Sequence, residues 1–95
     1  MELEKGTLVT INGTNKFIGI INSISSDMEI NFKALLRIEK NRNILSFNDY
    51  ITFKYIQGTS ISETTDEEFD IFRLELEYLG ITIEEMEGLF DIKVT

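Results

Sequence analysis

Asp66, Glu67, Asp70 and Glu77, followed by Glu84, Glu85 and Glu87, are the side chains whose type and spacing could do chemistry in this chain. Clustered carboxylates can act as a general acid and base, supply oxygen ligands to a hard cation, or imitate the phosphates of nucleic acid. Acid–base hydrolysis needs a pair of carboxylates flanking a deep cleft. A chain of 95 residues leaves little room for one, and Glu84, Glu85 and Glu87 fall in a turn expected to face solvent. A calcium loop needs ligands at fixed spacing with a glycine at its sharp turn, and Asp66-Glu-Glu-Phe-Asp70 lacks that spacing. Histidine and cysteine are both absent, which removes Ser–His and Cys–His nucleophiles, thiolate metal sites and disulfides. The expectation is therefore no enzyme, no metal and no cofactor.

What remains is the field of the acids themselves. From Met1 to Gly58 seven basic residues face six acidic ones, a net of +1, whereas from Thr59 to Thr95 two basic residues (Arg73, Lys93) face eleven acidic ones, a net of −9. Such a segment repels itself, and it attracts basic surfaces from a distance. Acidity spread for solubility is the plain alternative, but here it is segregated into the last third of the chain.

The elements that would position these residues follow from patterning. Thr7–Ile11 and Lys16–Ile21 are β-rich runs flanking Asn12-Gly13-Thr14-Asn15, whose Asn-Gly is a hairpin signal because both residues tolerate φ > 0. Ile18 and Ile20 point to one face of the second run, Phe17 and Ile21 to the other. After Ser25-Ser26-Asp27 a third strand alternates, with Ile30, Phe32, Ala34, Leu36 and Ile38 on one side and Asn31, Lys33, Leu35, Arg37 and Glu39 on the other. Ile44–Phe47 and Ile51–Tyr55 read as two further strands, and Gly58–Thr65 as a polar linker.

Thr65-Asp-Glu-Glu68 has the capping-box pattern, with acids in the first turn where the helix dipole favours them. Phe72–Tyr78 alternates as a strand would, but capping, length and composition favour a helix that stops at Gly80. On that helix Phe69, Phe72, Leu76 and Leu79 form a core stripe. Ile71, Leu74 and Tyr78 form a second apolar stripe, with Asp66, Asp70, Arg73 and Glu77 lining the arc between them. The second stripe is either further core, the helix being wedged between the sheet and the C-terminal segment, or a contact surface for a partner or a second copy. A second capping box, Thr82–Glu85, starts a short helix ending near Gly88, and Phe90–Val94 reads as a closing strand.

The predicted fold is a single α+β domain over 1–95: a five-stranded antiparallel meander, barrel-like, over 1–58, then an acidic amphipathic helix and a short closing element over 59–95. The charged Met1–Lys5 segment lacks the apolar run of a signal peptide and no run is long enough to cross a membrane, so a cytoplasmic location is expected. Fifteen Ile and seven Asn against one Ala and no Pro suggest A/T-rich codons, as in low-GC bacteria and their phages.

In general character the chain resembles phage-encoded anti-defence proteins, including anti-CRISPR and anti-restriction nucleic-acid mimics, although no motif carries the resemblance. It implies a basic host partner, a nucleic-acid-handling protein, and transfers no residue role. The residues' own pattern offers the carboxylates together with Ile71, Leu74 and Tyr78 as the contact, and the inward aromatics and negative charge argue against direct binding of nucleic acid. The competing expectation is a structural or adaptor module that forms a homodimer through that apolar stripe, its acidity serving solubility.

Overall fold

The computed structural model describes residues 4–54 and 61–90, with the side chains of Phe47, Asn48, Phe53, Glu87, Leu89 and Phe90 outside that description. Strands β1 (Leu8–Asn12), β2 (Lys16–Ile24), β3 (Glu29–Ile38), β4 (Asn43–Lys54) and β5 (Ile61–Glu63) are followed by helices α1 (Asp66–Tyr78) and α2 (Ile83–Phe90). Every described pairing is antiparallel, in the order β4-β3-β2-β1-β5. Sequential strands are neighbours from β1 to β4, and β5 joins the outer side of β1.

The molecule is thus α+β, and the sheet is open where a closed, barrel-like one was expected. A sheet closes on itself to remove its edges and to bury an inner face. Here helices cover one face instead, and β4 and β5 stand at opposite ends of the order. Two boundaries also differ from expectation. Residues 44–47 and 51–54 belong to one strand, β4, because Asn48 ends a bulge over 46–48 and Asp49 pairs with Ala34 of β3 rather than lying in a turn. The stretch read as a polar linker contributes β5, whose Ile61 pairs with Ile11. The expected closing strand lies outside the described residues beyond Phe90, which itself ends α2.

The irregularity that shapes the sheet sits at Leu35. β2 pairs Ile18 with Leu36 and Gly19 with Ala34, while β4 pairs Leu45 with Leu36 and Asp49 with Ala34. Leu35 is therefore an extra residue against β2, while on its other side it stands alone opposite residues 46–48 of β4. Such an insertion reverses the side-chain phase of everything beyond it. Ile30, Phe32 and Ala34 join a buried cluster with Val9 and Ile21, whereas Leu36 and Ile38 join the cluster under the helices. The five residues expected to share one face are thereby split between two. Leu35, expected to point outward, is fully buried.

α1 lies on the second of these clusters through Phe72 and Leu76, and α2 through Met86, against Ile18, Ile20, Leu35 and Leu36. Burial of each large side chain contributes about 1.5–3 kcal/mol. Both ends of α1 are closed. Thr65 accepts from the Glu68 amide while the Glu68 carboxylate accepts from the Thr65 amide. At the other end Gly80 takes φ 75°, where Ile81 N–H donates to Leu76 and Gly80 N–H to Glu77, the paired bonds of a Schellman motif.

The β1–β2 connection spans Gly13–Asn15, and neither Asn12 nor Gly13 has positive φ. The connection is thus one residue shorter than the expected Asn12–Asn15, and it is made without the expected φ > 0 at Asn12 and Gly13. The left-handed residue lies in the next hairpin instead, at Met28 with φ 63°. Met28 N–H donates to the Ser25 carbonyl, and Ser25 N–H donates to Glu29 across the hairpin end. The Ser25 hydroxyl donates to Asp27 and holds its carboxyl below its ordinary range. A three-residue loop of this kind places glycine where Met28 stands. Met28 is partly exposed, so Met28→Gly sacrifices little packing. It is expected to raise stability by about 0.5–1 kcal/mol, because relief of left-handed strain exceeds the added chain entropy. An unchanged or lowered thermal midpoint would contradict this.

Candidate functional site

α1 carries six carboxylates (Asp66, Glu67, Glu68, Asp70, Glu75, Glu77) and one basic residue, Arg73. Its inner side is fixed by Phe72 and Leu76, so the outer residues are presented on a rigid support. Leu74 is half exposed, Tyr78 is 85% exposed and Leu79 59% exposed. Leu74 and Tyr78 are one turn apart on the same face, a spacing that makes neighbouring side chains contiguous. Exposed large apolar groups scattered singly need no explanation, but contiguous ones mark contact surfaces.

Two of the apolar residues behave differently from expectation. Ile71, placed in the outer stripe, is half-buried against the helix-covered cluster. Leu79, placed in the core stripe, is exposed because it is the C-cap, where the chain turns away from the helical path. The outer patch is therefore Leu74, Tyr78 and Leu79.

The acids divide by what they touch. Arg73 donates to Glu77 at 3.0 Å and to Asp70 at 3.4 Å, all three side chains being substantially exposed. Glu75 accepts from the Asn43 amide at the start of β4. Asp66, Glu67 and Glu84 are exposed and carry no hydrogen bond or ion pair among the described residues. Glu85 closes the second capping box, its carboxylate accepting from the Thr82 amide while Thr82 accepts from the Glu85 amide. Glu87 lies on α2 with its side chain outside the described residues. Between the two helices, Arg73, Glu77, Gly80, Ile81, Thr82, Ile83 and Glu84 line an open groove of about 440 Å³.

One carboxylate is turned inward. Glu68 accepts from Thr10 Oγ1 at 3.1 Å and from Thr65 N–H at 2.9 Å, and its other oxygen lies 2.9 Å from Lys16 Nζ. Thr10 spends its single proton on Glu68, so the Thr64 hydroxyl, 3.1 Å away, donates to Thr10. Burial raises the Glu68 pKa, but the Thr65 amide, Lys16 and the Thr10 and Thr65 hydroxyls outweigh it and hold the carboxyl below its ordinary range. The capping box predicted Glu68 as a local cap. Its contacts with Thr10 and Lys16 cross more than fifty residues of chain, and no local pattern signals them.

Chemically the outer surface can attract and contact, with an apolar ridge beside carboxylates that are free or only loosely held. Among the described residues no three His, Cys, Asp or Glu side chains converge as metal ligands would. No helix among them is long and apolar enough to cross a membrane. No family model, curated protein or solved structure matches this chain.

Proposed function

We propose that this chain is a small, non-catalytic protein-binding inhibitor whose α1 face occupies a basic, nucleic-acid-handling surface on another protein. The observation that carries the reading is the exposed Leu74 and Tyr78 ridge set beside Asp70 and Glu77, on a helix anchored from behind by Phe72 and Leu76. Long-range attraction comes from the acids, and affinity from desolvating the ridge. Tyrosine is a favoured anchor at such interfaces, and the rim charges act mainly on association rate. Asp66, Glu67 and Glu84 extend the anionic surface, whereas Glu85 is committed to its cap. Ile71 is assigned to the core and has no place in the contact.

Competition with DNA tests the reading. The chain should displace labelled duplex from its basic target, and the displacement should weaken steeply as salt rises. The double variant Asp70→Lys with Glu77→Lys should fold normally, since exposed pairs contribute under about 1 kcal/mol, yet lose competition. Normal competition by that variant, together with loss on Tyr78→Ala, would reject mimicry. That outcome would favour the second reading, a self-associating adaptor module built on the exposed Leu74, Tyr78 and Leu79.

A further inference from the structure

We infer that Arg73 is an internal counter-ion that holds the place of a partner's guanidinium, and that the partner segment fitting α1 is a basic amphipathic helix; this rests on the protein-binding reading above. Arg73 projects between Asp70 and Glu77, one turn from each, and bonds to both. The two carboxylates are seven residues apart on one flank of α1, and Leu74 and Tyr78 run alongside them. Charges and apolar groups thus form two parallel rows along a helix axis. The complementary object is another helix, with Arg or Lys repeating on one side of an apolar stripe.

The charge distribution selects this occupant over a second copy of the chain. Pairing two α1 faces would bring Asp66, Glu67, Glu75 and their neighbours against their own counterparts, with one Arg per helix to offset them. A basic segment meets the same surface with opposite charge. Opening the clasp costs little, because Arg73 and its two acids are all substantially exposed and screened by solvent. Arg73 also lines the α1–α2 groove. Its departure would widen access to Ile81 and Ile83, giving a partner's aliphatic residue a place to rest.

Calorimetric titration with a synthetic Leu/Arg amphipathic helical peptide, and with a scrambled peptide of identical composition, tests the inference. The wild-type chain should bind the amphipathic peptide and bind the scrambled one more weakly. Arg73→Gln should bind the amphipathic peptide about threefold more tightly, the effect of freeing one exposed charge cluster. That gain should vanish when Asp70→Asn and Glu77→Gln are added. Unchanged or weaker binding by Arg73→Gln would overturn the counter-ion role, and equal binding of the scrambled peptide would overturn the helical partner. If peptide binding survives Asp70→Lys with Glu77→Lys, the acidic-face reading itself fails, which separates the two failures. Melting curves for each variant confirm that Arg73→Gln leaves the fold intact.

Discussion

Gly19→Ala is expected to destabilise the fold by about 3 kcal/mol or more, enough to unfold a large share of a marginally stable domain. The reason is the approach of β3 to β2 at the Leu35 bulge. A Cβ at Gly19 would overlap the Lys33 carbonyl oxygen, lying also 2.9 Å from the Lys33 carbonyl carbon and 2.7 Å from Cζ of Phe32. Backbone cannot rotate out of the way as the tip of a flexible side chain can, and Phe32 is itself fully buried. Relief would need β2 and β3 to separate where Gly19 pairs with Ala34 and Ile18 with Leu36. Those pairs join the two buried clusters, so separation loosens both. Chemical denaturation checks the prediction, and a loss below 1 kcal/mol would refute the close approach. Gly88→Ala is the matched control: nothing lies within 4 Å of a Cβ there, and alanine is the better helix former.

The contrast between Gly19 and Gly13 explains why parts of this fold were legible in the sequence and others were not. Gly13 follows Asn in a strong local hairpin signal, and the hairpin is there, but its loop over residues 13–15 needs no left-handed glycine. Gly19 sits in a run that reads simply as strand, and its role depends on β3, which no local pattern reports. Signals that act within one turn of chain were readable: the Thr65–Glu68 and Thr82–Glu85 boxes and the Gly80 stop all close hydrogen bonds between near neighbours. The Leu35 bulge was hidden because the alternation of Ile30 through Ile38 continues through it unbroken, while the face it addresses changes. For the same reason Asn48-Asp49 looked like a turn between two strands.

At the candidate site, the exposure of Asp66, Glu67, Asp70 and Glu77 was legible from helical periodicity, whereas periodicity left the Leu74 and Tyr78 stripe open between core and surface, and only the structure shows both exposed. Ile71 and Leu79 exchanged roles because a wheel assumes an ideal helix through to its last residue, whereas the C-cap swings Leu79 outward. The reach of Arg73 to both acids follows from i, i+3 and i, i+4 spacing. Its consequence, that the two most central carboxylates are partly neutralised at home, appears only once the rotamers are seen.

Glu68 is the acid whose removal should matter most to folding. Glu68→Ala takes away half of the capping box, leaves the Thr65 amide without its acceptor and strips the buried Thr10 hydroxyl of its acceptor. The expected cost is about 2 kcal/mol, since an unsatisfied buried polar group alone costs about 1–3 kcal/mol. Glu68→Gln keeps the size and one acceptor and should cost less, losing chiefly the charge paired with Lys16. The two states of the carboxyl also predict a pH dependence. The folded pKa of Glu68 lies below its ordinary value of 4.5, so the folded protein favours the ionised form more than the unfolded chain does. The stability this supplies is present in full above pH 4.5 and is lost as pH falls toward and through the lower folded value. Other carboxylates titrate in the same window, so the diagnostic quantity is the difference between wild type and Glu68→Gln. Thermal midpoints taken from neutral pH downward should show that difference shrinking in acid. A constant difference down to about pH 3, well below the ordinary glutamate range, would mean that the Glu68 charge contributes nothing to docking α1 on the sheet.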